Sequence, residues 1–442
     1  MLKLWEHGRA ITPVTLKSHM RDDGAFKVID SDYFLRLAEA APAITSVREL
    51  ARIVHDAHVR RELFRIGEEL ASEAMEVSIA KSPKDILESA EKALYRVAEN
   101  SKYGEGPLEF HESLTRAVET AERAKARGGR ISGVTSGFAE IDSLLGGLQP
   151  SDLIIIAGRP GMGKTSLGTN IGFNSAQAYL RDLEAGEEVQ RGAPVLFFSL
   201  EMAAQQLSAR ILAEQTEIEM WKIRNGKFSE SEWEKFVLTM QDLTNLPFYI
   251  DDTGGISIAQ IAARARRLKR EKQVGVIIVD YLQLIEPTRR AENRVQEITE
   301  VTKGLKALAK ELNVPVIALS QLSRGVDSRD DKRPVLSDLR ESGSIEQDAD
   351  VVMFVYREEY YLKSREPDPS SAEHAKWLEK CQRATNRAEI LVEKHRHGAT
   401  KPIDLHFDSR FTRFSNMIDE NSIPDHERKE YVRSAPLIGL DS

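Results

Sequence analysis

The sequence contains a single cysteine, Cys381, among 442 residues. One thiol excludes an internal disulfide framework and a zinc site built from cysteine thiolates, and it is typical of a reducing compartment. No apolar run has the length of a transmembrane helix, and the first residues, MLKLWEHGRA, show no signal-peptide pattern. We therefore expect a cytoplasmic protein that makes no membrane contact.

The sequence also has no excess of positive charge: its formal net charge at pH 7 is −8. This charge argues against a broad nucleic-acid-binding surface, although it permits a narrow basic channel. Hydrophobic residues make up 41% and charged residues 30% of the chain, as in globular proteins. A chain of 442 residues favours about two or three domains.

The most informative stretch is LIIIAGRPGMGKT at 153–165. An apolar run predicts a buried strand, a glycine-rich loop follows, and helical spacing begins after Thr165. This is the phosphate-binding P-loop, G-x-x-x-x-G-K-T, between the strand and the helix that it requires. Those flanking elements disfavour a chance match in a glycine-containing loop. Glycines let backbone N–H groups surround a phosphate, and the helix directs its positive end at the anion.

The P-loop predicts the residues that bind a nucleoside triphosphate. Lys164 places a cation against the β- and γ-phosphate oxygens, and the Thr165 hydroxyl is a ligand for Mg²⁺. The candidate nucleotide-binding residues are Gly158, Arg159, Pro160, Gly161, Met162, Gly163, Lys164, Thr165 and Ser166. The expected ligands are therefore a nucleoside triphosphate and Mg²⁺.

The chain divides by pattern into three parts, which we expect at 1–100, 101–130 and 131–442. The first part is almost entirely helical in pattern and includes a long helix at 46–79. The turn-rich SKYGEGP breaks the pattern, and an amphipathic helix follows at 107–127. This helix either folds back locally or docks on a neighbouring subunit.

Beyond residue 131 the pattern predicts an α/β fold. Apolar runs alternate with helical stretches, which indicates a mostly parallel sheet covered by helices. The predicted strands are LIIIA (153–157), VLFFS (195–199), FYI (248–250), VGVIIV (274–279), VPVIAL (314–319), VVMFVY (351–356), AEILVEK (388–394) and PIDLHF (402–407). Ligands of such folds bind at the carboxyl ends of the strands.

Three strand ends carry polar residues that suit nucleotide hydrolysis. VGVIIV ends at Asp280, as in the second nucleotide motif (Walker B), whose carboxylate orients Mg²⁺. VLFFS leads to Glu201, which can polarise an attacking water or can simply be an exposed residue that begins a helix. VPVIALS ends at Gln321, either a γ-phosphate sensor or an ordinary polar residue at a strand end.

Two basic features lie further along the chain. Lys394 and Arg396 fall at the tip of a predicted hairpin and on one face of it, too far from the P-loop of their own chain. They either act on a neighbour's γ-phosphate, as an arginine finger does, or form a solvated basic hairpin. The loop around Arg340, Glu341 and Gly343 offers backbone N–H groups and one cation to a phosphate strand.

Taken together, these motifs resemble the bacterial replicative DNA helicases of the DnaB family over nearly the whole chain. TSGFAEIDSLLGGLQPSDLIIIAGRPGMGKT resembles the beginning of that family's RecA-like motor. FFSLEM, VDYLQL, ALSQLSR, LSDLRESGSIEQDAD and the K-x-R-x-G that ends at Gly398 resemble its later motifs in the same order. The resemblance implies a RecA-like P-loop NTPase core preceded by a small all-α domain and a linker helix.

The resemblance also implies roles for the candidate residues. Glu201 is the catalytic base, Asp280 is the Mg²⁺ carboxylate and Gln321 is the γ-phosphate sensor. Lys394 and Arg396 are then a pair that acts in trans on the neighbouring subunit. Arg340, Glu341 and Gly343 lie on the loop that contacts DNA.

The assembly and partners follow from the same resemblance. The family forms a homohexameric ring around single-stranded DNA, moves by ATP hydrolysis at forked DNA in the nucleoid, and works with primase and a helicase loader. Residues 1–100 correspond to part of its amino-terminal collar and 107–127 to its linker helix. The sequence starts partway through the collar pattern, so we expect either a trimmed start or a shortened collar.

Two other functions fit the same motifs. One is another RecA-like ring ATPase, such as a recombinase, which never separates strands. The other is a loading scaffold that nucleotide binding alone stabilises. Strand displacement on a fork separates the first from a helicase, and a variant without the Glu201 carboxylate separates the second.

Overall fold

A computed structural model describes residues 44–75, single positions between 83 and 122, and residues 131–287, 294–363 and 366–417. It divides into two compact units after Val118, a boundary that falls inside the predicted linker at 101–130. The first unit contains helix α1, Ile44–Met75, where the sequence predicts a helix at 46–79. The described positions between 83 and 122 are helical, and the rest of the predicted linker helix lies outside the described residues.

The second unit is built on a nine-stranded sheet with the order β3-β2-β4-β5-β1-β6-β7-β8-β9. The first six strands in this order, from β3 through β6, run parallel to one another. Strands β7, β8 and β9 add antiparallel pairs at one side. The strands are β1 Leu153–Gly158, β2 Val195–Ser199, β3 Phe248–Asp251, β4 Val276–Asp280, β5 Val316–Gln321, β6 Val351–Tyr356, β7 Arg387–His395, β8 Pro402–Asp408 and β9 Arg413–Asn416. Every predicted strand is confirmed, and β9 is an additional strand.

Helices cover both faces of the sheet in the second unit. They are α2 Ala139–Leu145, α3 Lys164–Glu184, α4 Ala204–Thr216, α5 Met220–Asn225, α6 Glu230–Asp242, α7 Ile258–Lys272, α8 Arg294–Leu312, α9 Gly343–Asp348, α10 Glu358–Lys363 and α11 Ala372–Ala384. Within the described part of the chain, no helix combines the length and apolar character that crossing a bilayer requires.

Strand β1 shows why the apolar runs form buried strands. Successive side chains point to opposite faces of a strand, and all six residues of β1 are buried. Leu153 and Ile155 join an apolar cluster with residues of α7 and α8, whereas Ile154 and Ile156 join a second cluster with residues of α2 and α3. A continuous apolar sequence is therefore required, as in parallel sheets covered on both faces.

The ends of the strands form two opposite edges of the sheet, and the topology places different residues at each. The parallel strands end at the edge where the P-loop follows β1 and where Glu201 and Asp280 lie. Strand β6 begins at the opposite edge, where Val351 pairs with His395 at the end of β7. The two edges are separated by the length of β1, which is roughly 17 Å for a strand of this size.

Candidate nucleotide site

The P-loop is shaped by glycines that other residues cannot replace. Gly163 precedes the first residue of α3 with φ of 99°, and a Cβ there would lie 3.0 Å from the Phe414 ring. Gly161 has φ of 81°, and its Cβ would lie 2.8 Å from the ring of Tyr360. Both positions combine a left-handed backbone with a close neighbour, so only glycine fits without strain. The loop thereby leads directly into the N-terminus of α3, where an anion is stabilised.

Several side chains of the predicted nucleotide-binding loop are used within the fold. The Arg159 guanidinium forms an ion pair with Asp327 at 2.5 Å and donates to the Leu322 carbonyl at 3.1 Å. Met162 is buried in the apolar core beside β1. While their side chains keep these positions, Arg159 and Met162 can contact a nucleotide only through their backbone atoms. Pro160 has no N–H to offer, and Ser166 is buried in the first turn of α3.

Lys164, Thr165, Glu201 and Asp280 meet at the carboxyl edge of the sheet. Strands β2 and β4 are neighbours, and the Leu200 N–H donates to the Asp280 carbonyl at 2.8 Å. Burial lowers the pKa of Lys164, and the negative charges of Asp280 and Glu201 act in the opposite direction. The ammonium group therefore lies in a site where negative charge stabilises it, which suits a phosphate ligand.

Asp280 has the environment of a cation ligand. Burial raises the pKa of Asp280 to about 6, against a hydrogen bond from the Thr165 hydroxyl that lowers it. Its Oδ2 atom is buried without a hydrogen-bond partner among the described residues. A carboxylate and a hydroxyl are oxygen ligands of the kind that Mg²⁺ takes. The residues present therefore fit a magnesium ion, and its charge would stabilise the ionised carboxylate.

Gln321 is the exposed last residue of β5, as the sequence predicts. Its backbone is held by Gln283, whose side chain accepts from the Gln321 N–H at 3.3 Å and donates to the Ser320 hydroxyl at 3.1 Å. Gln283 was not predicted from the sequence, although it lies three residues after Asp280 in DYLQ. Its side-chain amide joins the ends of β4 and β5 and holds the backbone of Gln321, which pairs with Gly158 at the start of the P-loop.

Arg210 is a second residue that was not predicted from the sequence. It is half-buried on α4, the helix that follows Glu201. Burial lowers the pKa of Arg210, and Asp280, Glu214 and Glu201 oppose this effect in that order. The chain therefore places its own second cation near the two site carboxylates. Its signal in the sequence is weak because a single arginine on an amphipathic helix is typical of a solvated face.

Glu214, one turn after Arg210, is buried between α3, α4 and β9. It accepts a hydrogen bond from the Asn170 side chain, and Asn170 Oδ1 accepts from the Phe414 N–H at 2.8 Å. Burial raises the pKa of Glu214 to about 8, although the hydrogen bond from Asn170 and the positive charges of Arg413 and Arg210 lower it. The carboxyl is therefore protonated at neutral pH and acts as a neutral group within the fold.

We predict that Glu214 makes stability depend on pH. Between the ordinary pKa of 4.5 and the folded value of about 8, the folded protein keeps a proton that the unfolded chain has released. The free energy of unfolding therefore falls as pH rises through this range. Relative to Glu214→Gln, the wild type should lose about 3 kcal/mol of its free energy of unfolding between roughly pH 5.5 and 8.5. Urea unfolding measures this difference. Glu230→Gln, at an exposed position of α6, is the control, and an equal pH response in all three proteins would contradict the assignment.

Lys394 and Arg396 lie at the opposite edge of the sheet from the P-loop. Lys394 belongs to β7, an inner strand of the sheet, and Arg396 follows its last residue. The Arg396 N–H donates to the Asp350 carbonyl at 2.9 Å, just before β6 begins. The structure therefore brings these two cations together but does not bring them to the nucleotide site of their own chain.

The predicted DNA loop is described through its backbone. Arg340 and Glu341 lie in a 3₁₀ helix, Leu336–Ser342, and Gly343 begins α9. Helix α9 leads into Asp350 and β6, so this loop continues directly to the segment that contacts Arg396. Its side chains lie outside the described part of the structure.

Comparison with known families decides the identity of this α/β unit. A model of the "DnaB-like helicase C terminal domain" matches residues 133–416, and one of the "DnaB-like helicase N terminal domain" matches residues 1–56. The chain belongs to the DnaB-like helicase family. Replicative DNA helicase DnaB of Rickettsia typhi is 42% identical over 94% of this chain and 83% of that protein. The Geobacillus stearothermophilus protein of the same name is 37% identical over 96% of this chain and 87% of its own length.

Solved structures agree with this family. One of them, described as an ATPase domain, is 33% identical, with a TM-score of 0.60 over 71% of this chain and 100% of that one. A DnaB-like replicative helicase, described with its interactions with primase, is 28% identical, with a TM-score of 0.69 over 94% of this chain and 90% of that one. This DnaB-like chain is thus a replicative DNA helicase that uses ATP, and its core is RecA-like.

Proposed function

We propose that the chain acts as a homohexameric ring that moves along single-stranded DNA and unwinds the duplex at a fork. The observation that carries this proposal is the separation between Arg396 and the P-loop of the same chain, which lie at opposite edges of the sheet. An arginine that cannot reach its own nucleotide can complete the site of a neighbour. A closed ring gives every subunit such a neighbour.

Each site then combines residues of two subunits. One subunit supplies Lys164 and Thr165 with the phosphates, Asp280 with the magnesium ion, Glu201 as the base and Gln321 as the γ-phosphate sensor. Its neighbour supplies Arg396 and Lys394. The lowered pKa of Lys164 and the raised pKa of Asp280 support this assignment, since perturbed groups of opposite charge meet at one cleft. Bound Mg²⁺ would stabilise charge on the transferred phosphoryl group.

The loop at 340–343 is our proposed contact with the DNA strand. The segment joins a 3₁₀ helix to α9, and backbone N–H groups at such a junction can bind phosphates without sequence preference. An acidic chain needs such a local site, because its net charge of −8 does not attract DNA broadly. Arg340 would supply the cation, and Glu341 and Gly343 would fix the loop.

The remaining assignments concern partners and domains. The N-terminal family match at 1–56 supports a collar within 1–100, followed by a linker at 101–130 and a motor at 131–442. A structural relative described with its interactions with primase supports a primase contact. We also propose a helicase loader as a partner and a place in the cytoplasm, at the nucleoid.

Strand displacement on forked DNA tests the proposed function. We predict displacement that requires ATP and Mg²⁺, a single-stranded tail on the substrate, and an assembly with the native mass of a hexamer. A blunt duplex of the same sequence is the control substrate and should stay intact. ATP hydrolysis without displacement would indicate another ring ATPase, and full ATP turnover by a monomer would contradict the shared site. Displacement that survives loss of the Glu201 carboxylate would contradict its role as the base.

A further inference from the structure

Asp350 lies buried beneath the exposed Arg396. Its Oδ1 atom accepts from Arg396 Nη1 at 3.0 Å, and its Oδ2 atom accepts from the Leu153 N–H at 2.8 Å and from Lys306. The side chain of Asp350 is 2% exposed, whereas that of Arg396 is 48% exposed. The carboxylate is thus fixed to the first residue of β1, and the guanidinium is half in solvent. In the sequence this aspartate is one of three acidic residues in IEQDAD, and its spacing indicates no role.

The backbone around Asp350 holds the same pair of cations. Lys394 Nζ donates to the carbonyls of Glu346 at 2.5 Å and Ala349 at 2.7 Å. Arg396 Nη2 lies 3.4 Å from the Gln347 carbonyl. We call the Asp350 carboxylate and these three carbonyls the cation platform. The carbonyls lie at the C-terminal end of α9, where cations are favoured.

The platform leaves part of the guanidinium available. Among the described residues, Arg396 gives one N–H to Asp350 and makes a long contact to Gln347, and its side chain is 48% exposed, which leaves donors for a ligand. Two parallel N–H groups suit phosphate oxygens. A fixed guanidinium loses less conformational entropy when it binds than a free arginine does.

We propose that Asp350 is a positioning residue that orients Arg396 toward the nucleotide of the neighbouring subunit. This inference rests on the proposed function, in which Arg396 acts in trans. Asp350 itself is buried and acts only through Arg396. Its second ion pair, with Lys306, is made by Oδ2, whereas Oδ1 accepts from the guanidinium of Arg396.

Asp350→Asn tests this role by removing the charge with little change of shape. We expect kcat for ATP hydrolysis to fall by up to about 100-fold, since small misplacements of catalytic groups have effects of this size. The KM for ATP should stay unchanged, because the P-loop lies at the other edge of the sheet. Lys306→Met is the matched control, since it removes the other partner of Asp350 and keeps the Arg396 pair; it should lower the melting temperature and leave kcat near wild type. An equal loss of kcat in both variants, or a full kcat in Asp350→Asn, would overturn the inference.

A buried lysine without its carboxylate is costly, so Asp350→Asn can fail to fold. Asp350→Asn combined with Lys306→Met removes both charges and provides a second protein with the same expected loss of kcat. Each Asp350 variant is then mixed with Glu201→Gln subunits, which have an inactive pocket and an intact Arg396. Mixed rings should hydrolyse ATP faster than either parent, since the intact Arg396 completes the pocket of the Asp350 variant.

A parallel mixture of Arg396→Ala and Glu201→Gln subunits separates the two hypotheses. If this reference mixture is active and the Asp350 mixture is not, Asp350 is only structural and the shared site remains supported. If the reference mixture is inactive, the shared site itself is wrong. If both mixtures hydrolyse ATP faster than their parent proteins, the inference is supported.

Discussion

Arg396→Ala should lower ATP turnover by about three to five orders of magnitude, the usual contribution of an arginine finger. The side chain is half-exposed at the sheet edge opposite the P-loop, so its removal leaves the pocket of its own chain unchanged. Affinity for a slowly hydrolysed ATP analogue should therefore stay near that of the wild type. Rapid-quench kinetics and fluorescent-nucleotide titration measure the two quantities.

Arg387→Ala is the matched control for this experiment. Arg387 lies on the same strand, at its other end, and forms an exposed ion pair with Asp404 at 2.8 Å. Such a pair contributes little to stability, so the control should keep both turnover and affinity. Retained hydrolysis in Arg396→Ala would show that the basic hairpin is a solvated surface, and reduced hydrolysis in both variants would indicate a general effect on β7.

The strands that are buried on both faces could be predicted from the sequence because burial requires continuous apolar runs. Strand β4 illustrates this, since VIIVD is buried throughout and ends at Asp280, the candidate Mg²⁺ ligand. Strand β9 could not be predicted in the same way. RFSN is short and mostly polar, and it pairs antiparallel with β8 after a turn at Thr412. Its place in the sheet is set by pairing with β8.

The site could be predicted in part for a similar reason. Lys164 and Glu201 follow apolar strands and Asp280 ends one, and parallel strands bring their carboxyl ends to one edge. Arg210 and Asp350 depend on contacts between segments distant in sequence, so no local spacing indicates them. Asp350 appears as one acidic residue among several, and only the tertiary structure places its carboxylate beneath Arg396.

The position of Glu201 argues for its role as the base. It lies in the loop after β2 and before α4, so it does not begin the helix, and its side chain is exposed. Its negative charge raises the pKa of both Lys164 and Asp280, which places Glu201 near the phosphate-binding side of the pocket. A carboxylate there can accept a proton from the attacking water.

Glu201→Gln should therefore lower kcat by about two to four orders of magnitude, the usual contribution of a general base. Glutamine keeps the volume of glutamate and removes a negative charge close to the phosphates, so nucleotide affinity should be equal or higher. The measurements are single-turnover hydrolysis and equilibrium binding, with Glu187→Gln, at an exposed position after α3, as the control. Because the amide cannot accept the proton, the loss should persist at every pH. Recovery of turnover at high pH, or full turnover at neutral pH, would show that the water is activated by another group.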